Sequence, residues 1–191
     1  MKKGLIVLIL LLCSCSPGLP KPTVTPPPTI EPEEYAVYAA LIRQNPIGYD
    51  LGSYFLVREQ AVSGGDMAER ALKEAKSVPS GLADSYRSRN AASYTLSPDL
   101  DVEQDYSLMP QEEFEKLFLQ PKSQWTDFET EYPGASGFVA FSRVGFNASE
   151  DKALAEMGYR CGDLCGAGGL YVLAKEDGNW KVEEELQVWQ S

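Results

Sequence analysis

Gly137-Phe-Val-Ala-Phe-Ser-Arg-Val-Gly-Phe-Asn147, then Ala153-Leu-Ala-Glu-Met-Gly-Tyr159, then Leu170-Tyr-Val-Leu-Ala174 and Trp180-Lys-Val-Glu-Glu-Glu-Leu-Gln-Val-Trp189 are the runs whose reading decides the fold. They fill the last third of the chain, Ser136 to Ser191. Short apolar runs of this length, rich in β-branched and aromatic residues and bounded by Gly, Asn and Asp, predict strands. In the first run Phe138, Ala140, Ser142, Val144 and Phe146 share one face, and Val139, Phe141, Arg143 and Asn147 share the other. Both faces are largely apolar, as a central strand covered on each side requires. Asp177-Gly178 predicts a tight hairpin turn, because Gly accepts the positive φ that primed turns demand. Beyond it Trp180, Val182, Leu186 and Val188 alternate with Lys181, Glu183, Glu185 and Gln187, so one side is expected to be buried and the other wet. The expectation is an antiparallel sheet of about four strands.

Working outward, the segment before this block reads as helical with one earlier strand. In Glu33–Gln44 the residues Tyr35, Tyr38, Ala39 and Ile42 fall at helical spacing, with acids at the start and Pro46 beyond the end. Ser53–Val62 predicts a strand closed by Gly64-Gly65. Asp66–Lys76 has good helix formers and an i, i+4 pair in Glu69 and Lys73, and Gly81–Asn90 suggests another short helix. Pro110–Leu119 opens with Pro and acids, with Phe114, Leu117 and Phe118 on its apolar side. Lys122–Tyr132 continues in that style, with Trp125 and Phe128 at i, i+3. Asp99–Asp105 carries alternate acids, but the sixth and twelfth positions of a calcium loop are Gln104 and Pro110, so an acidic edge strand or exposed loop is expected, with a nonstandard calcium site as the alternative. The fold class is therefore α+β: helices packed on a C-terminal antiparallel sheet, with an earlier strand.

The amino terminus addresses the chain. Met1-Lys2-Lys3 followed by Gly4–Leu12 reads as a signal peptide, since the apolar run is shorter than the about 18 residues of a membrane span. Leu12-Cys13-Ser14-Cys15 resembles the lipobox of bacterial lipoprotein precursors, which implies diacylation of Cys15 after cleavage. Ordinary secretion after cleavage nearby is the alternative. Acyl chains contribute about 0.8 kcal/mol per buried methylene, so more than one gives a stable anchor. Residues 15–34 are a Pro- and Thr-rich linker, whose prolines favour extended conformations and form no core. Residues 35–191 are the single domain. The expected location is the extracytoplasmic face of the cell membrane, held by lipid.

Composition narrows the chemistry. The 191 residues carry a formal charge of −11 and no histidine. An acidic chain does not suit nucleic acid, whose binders need a basic face. Without histidine no Ser-His-Asp triad and no His-based zinc site can be built. Cys161 and Cys165 are expected in a glycine-rich loop at C-x3-C spacing, which is not the redox C-x2-C motif. In an oxidising compartment a disulfide is expected, giving at most about 2–3 kcal/mol; reduced structural thiols and redox or metal chemistry remain alternatives. Gly162, Gly166, Gly168 and Gly169 lack the Lys-Ser/Thr ending of a phosphate loop, and tight turns explain them better. Arg143, amid apolar neighbours, needs a carboxylate or a ligand anion. A structural ion pair is the first reading and a ligand contact the second.

Phe141-Ser-Arg-Val-Gly-Phe-Asn147, Cys161-Gly-Asp-Leu-Cys-Gly-Ala-Gly168 and Gly178-Asn-Trp-Lys-Val182 with Trp189 resemble a group of uncharacterised bacterial secreted proteins and lipoproteins. The resemblance runs from Tyr35 to the end and brings no catalytic residues, metal or cofactor. By element order alone the chain is loosely similar to NTF2-like or cystatin-like folds, from which function does not follow. The expected function is a binding or interaction module of the cell envelope without catalysis, with an envelope protein or a small ligand as partner. The alternatives are a carboxylate-based hydrolase acting on envelope material, or an accessory structural subunit.

Overall fold

The computed structural model describes residues 29–62, 65–75, 77–97, 99–119 and 125–191, without the side chains of Gln187 and Val188. The signal segment, Cys15 and the linker up to residue 28 lie outside the described residues, as do Gly64, Lys76 and residues 120–124. The first helix, α1 (Pro32–Gln44), is followed by strand β1 (Tyr54–Arg58) and helices α2 (Gly65–Glu74) and α3 (Ser80–Arg89). Strand β2 (Asp105–Met109) then leads into helices α4 (Gln111–Phe118) and α5 (Trp125–Glu131). The C-terminal block forms β3 (Phe138–Phe141), β4 (Gly145–Phe146), β5 (Lys152–Gly162), β6 (Cys165–Glu176) and β7 (Asn179–Gln190). The α+β class is as the sequence implies. No helix among the described residues is long and apolar enough to cross a membrane.

The sheet is larger than expected and mixed. Its seven strands run β2-β1-β3-β5-β6-β7, with β4 paired to β5. β1 lies parallel to both β2 and β3, whereas the C-terminal strands are antiparallel. β3 sits between β1 and β5, which explains its two apolar faces: Phe138, Val139 and Phe141 are all buried. The acidic segment around Asp99–Asp105 ends in β2, an edge strand. The single run Phe138–Asn147 is broken at Ser142-Arg143-Val144. There Asn90 Nδ2 donates to the Arg143 carbonyl and the Arg143 N–H donates to Asn90 Oδ1, both at 2.9 Å, so a loop residue takes the place of a strand partner.

The Cys161–Gly169 stretch is not a loop. Apart from the turn at Asp163-Leu164 it belongs to β5 and β6, which pair from Lys152↔Ala174 to Gly162↔Cys165. The turn at the other end matches the expectation: Asp177 and Gly178 have φ of 49° and 80°, the two positive values of a type I′ turn. β7 departs from simple alternation. Its pairing with β6 shifts register between Val172 and Leu173 and again between Gly168 and Gly169. A bulge inserts one residue and turns the following side chains to the opposite face. Trp180 and Val182 therefore pack with α1, whereas Leu186 packs under α2 and α3.

The two sheet faces are covered differently. On one face α1 lies across Phe55, Val139, Phe141, Met157 and Tyr171, and the segment carrying Tyr94, Leu96 and Leu100 closes over it. Both sides of α1 are thereby buried, not one apolar face alone; Tyr38, Leu41 and Ile42 are at most 1% exposed. Burying each such side chain contributes about 1.5–3 kcal/mol. On the other face α2 and α3 cover Leu154, Leu170 and Val172, while α4 and α5 cover Leu56 and Phe138. The two helix pairs leave part of that face between them.

The folded unit also begins earlier than residue 35. Ile30 is part of the core, and Glu33 and Glu34 stand in α1 with ion-pair partners in the C-terminal block. Of the two overlapping expectations for these acids, helix start and end of linker, the helix is the one that holds.

Candidate functional site

The uncovered part of the second face is a cleft of about 330 Å³. Its floor follows from sheet register. Ala140 pairs with Gly158, Gly158 with Gly168, and Gly168 with Trp189, so one row crosses four strands with only small side chains before the indole. A Cβ at Gly168 would overlap the indole, at 2.6 Å from Trp189 Cε2. Cβ atoms at Gly158 and Gly166 would come within 3.2 Å of the same ring. Gly166 and Gly168, which read as turn residues, and Gly158, from a predicted strand, are thus the seat of Trp189, which folds inward from β7.

The walls are aromatic and cationic. Phe114 and Phe118 of α4 stand on one side, beside Phe138. Arg58, at the end of β1, lays its guanidinium over the Phe114 ring at 3.7 Å and donates from Nη2 to Gln111 Oε1 at 3.1 Å. Its Nε is buried without an acceptor. Burial lowers the Arg58 pKa from its ordinary value, and the charge of Glu115 acts in the opposite sense. Arg160 of β5 stacks on Trp189, with 5.1 Å from its guanidinium carbon to the ring centre, and is exposed. Neither arginine has a carboxylate within ion-pair distance among the described residues.

Glu156 is the carboxylate that lines the cleft, and it is only 6% exposed. The Tyr86 hydroxyl donates to its Oε2 at 3.3 Å, and its backbone N–H donates to Ser142 Oγ at 2.8 Å. Burial, then the negative charge of Glu156, pushes the Tyr86 hydroxyl well above its usual pKa. Hydrolysis by paired carboxylates needs two such groups facing each other across the substrate. Here the described lining supplies one, and the residues outside the described set contain neither Asp nor Glu.

Arg143 stands elsewhere, under α1 and away from the cleft. It makes a bidentate pair with Glu34: Nε to Oε2 and Nη2 to Oε1, each 2.7 Å. Its side chain is 4% exposed and that of Glu34 0%. Glu34 also accepts from the Val144 N–H at 3.0 Å and from Arg89 at 3.2 Å. Burial alone would depress the Arg143 pKa, but the hydrogen bonds and charge of Glu34 outweigh it and the pKa is raised. The Tyr94 ring covers the guanidinium at 4.1 Å. A bidentate, covered arginine of this kind serves packing and register.

Cys161 and Cys165 form a disulfide, with Cα atoms 5.1 Å apart, across the β5–β6 turn. The turn places Leu164 at the tip, 88% exposed. No group of three or more His, Cys, Asp or Glu that could hold a metal ion occurs among the described residues. Cys15 is outside the described set.

Arg58, Arg160 and Trp189 were not singled out as site residues in the sequence. The one available signal was the i, i+2 spacing of Gly166 and Gly168 within a strand, which marks a close approach from the neighbouring strand. Comparison with protein-family models, curated proteins and solved structures finds no match, so the site stands on its geometry alone.

Proposed function

We propose that this protein is a lipid-anchored, extracytoplasmic binding module of the bacterial cell envelope, and that it binds through the cleft between the two helix pairs. The lipobox-like Leu12-Cys13-Ser14-Cys15 and the proline-rich spacer support the location, as does the resemblance to bacterial secreted proteins and lipoproteins. The partner is a small ligand, with the membrane engaged through the lipid on Cys15. The observation that carries the binding reading is the cleft itself. A concave, partly apolar hollow with a few charged groups is the usual form of a small-ligand site. Its volume lies near the low end of the range for such sites.

The hydrolase alternative is disfavoured by the lining, in which Glu156 has no second carboxylate opposite it. Two measurements test the proposal. The full-length chain expressed in bacteria should label with palmitate and sediment with membranes, and Cys15→Ser should abolish both; an unlabelled, soluble wild-type product contradicts the anchor. Small molecules from an envelope extract, retained on immobilised protein, should be enriched over those on Ala140→Phe, whose new ring fills the cleft. Retention of species with unchanged mass supports binding. Equal retention by the two proteins, or the appearance of hydrolysis products, contradicts it.

A further inference from the structure

The cleft is cationic in a chain that is not. Arg58 and Arg160 face one carboxylate, Glu156, whereas the whole sequence carries a formal charge of −11. A local excess of positive charge on an acidic protein does not follow from overall composition, so something at this position calls for it. Elsewhere the fold engages its buried cation fully: Arg143 receives a two-point carboxylate and an aromatic cover. Arg58 has the aromatic cover, one neutral acceptor, Gln111, and the charge of Glu115 beyond ion-pair distance. Its Nε has none, and its Nη1 makes no hydrogen bond among the described residues. Partly burying a guanidinium without a carboxylate in contact is unfavourable unless an anion completes it.

The placement of the two arginines is itself ordered. Arg58 follows Val57, which pairs with Val139, so Arg58 lies beside Ala140 at one end of the small-residue row. Trp189 closes the other end, with Arg160 stacked on it. Each guanidinium is held against a ring, which reduces the freedom lost on binding. Between them lies a floor of Ala140 and Gly158 with Phe118 at its side, and these offer contact only to an apolar group.

We propose that the cleft selects a small amphiphile: one anionic group drawn to Arg58 and Arg160, on an apolar body lying over Ala140 and Gly158 against Phe118 and Trp189. The anion is a carboxylate, phosphate or sulfonate-like group, since all offer the oxygens that a guanidinium binds. This inference rests on the reading of the cleft as a binding site. Arg58 is the principal contact because it is the less hydrated of the two. Arg160, at the exposed rim, acts chiefly through long-range attraction, which salt screens over about 8 Å at physiological ionic strength.

Two fluorescent probes with nearly the same apolar body test this on the full-length protein: the anion 8-anilino-1-naphthalenesulfonate and the neutral N-phenyl-1-naphthylamine. The anionic probe should bind saturably and at least about tenfold more tightly than the neutral one, as expected for a charge-assisted contact. Arg58→Gln should weaken the anionic probe about tenfold and Arg160→Gln about threefold, with the neutral probe unchanged in both. Raising salt should weaken only the anionic probe. Octanoate and octyl phosphate, added as competitors, separate a carboxylate ligand from a phosphate one; displacement by either supports the proposal and displacement by neither overturns it. Arg160 is exposed, so its variant reports even where Arg58→Gln folds poorly. Equal affinity for both probes, unaffected by the arginine variants but lost in Ala140→Phe, overturns the anion inference and leaves an apolar binding cleft. Retention of both probes by Ala140→Phe removes the cleft as a site, and the binding-module reading with it.

Discussion

The two faces of the sheet treat the same side chain in opposite ways. Under α1, Arg143 is bound at two points by Glu34 and roofed by Tyr94, and nothing of the pair reaches solvent beyond a few per cent. On the other face Arg58 and Arg160 rest on Phe114 and Trp189, with no carboxylate within ion-pair reach among the described residues. One face is finished by the chain itself, whereas the other keeps guanidinium donors that packing leaves over. The difference teaches that burial among apolar neighbours marks a structural arginine. Donors left over after packing are what the proposed binding arginines have instead.

Breaking the closed face should cost most. Glu34→Gln leaves Arg143 buried and Arg89 short of a partner, so unfolding free energy in urea should fall by about 3–5 kcal/mol. The matching change on the open face, Arg58→Gln, removes no ion pair and should stay within about 1 kcal/mol. Comparable losses for the two variants would erase the contrast between the faces.

Next in size is the seat of Trp189. Gly168→Val places side-chain atoms where the indole lies, at a cost of about 1–3 kcal/mol, the usual penalty of overpacking. It should also expel Trp189 and abolish binding of the anionic probe in the same titration. Stability lost with probe binding intact would separate the glycine seat from the cleft.

The smallest effect concerns acid. Burial would raise the Glu33 pKa, but hydrogen bonds from Lys175 Nζ and Trp180 Nε1, at 2.7 and 2.6 Å, outweigh it and the pKa is lowered. A depressed carboxylate contributes stability that is present above its unfolded pKa and lost as pH falls through its folded value. Thermal stability should therefore drop on acidification below the ordinary carboxylate range, and Glu33→Gln should flatten that part of the profile. Identical profiles would place this anchor of α1 outside the stability of the closed face.

Much of the scaffold was legible because local rules apply locally. The Asp177-Gly178 hairpin, the helical spacing in α1 and the apolar run at Phe138 each announce themselves within ten or so residues. The expectation of an ion pair for Arg143 also held, because an apolar setting leaves a guanidinium few choices. What escaped was non-local. The parallel pairing of β1 with β2 and β3 depends on crossovers that no short motif encodes. The identity of Glu34 as the partner rests on a contact across more than a hundred residues, which no local pattern reveals. The two bulges in β7 turned Leu186 to the opposite face and Trp189 onto the glycine row, and alternation alone predicts neither. The cleft inherits this: its arginines come from β1 and β5, which meet only through β3.

A crystal structure of the full-length protein with 8-anilino-1-naphthalenesulfonate tests the central claim most directly. The naphthalene ring is expected over Ala140 and Gly158, with its sulfonate oxygens hydrogen-bonded to the guanidinium of Arg58 and turned toward Arg160. A probe seated elsewhere, or one in the cleft with its sulfonate directed away from both arginines into solvent, would contradict it.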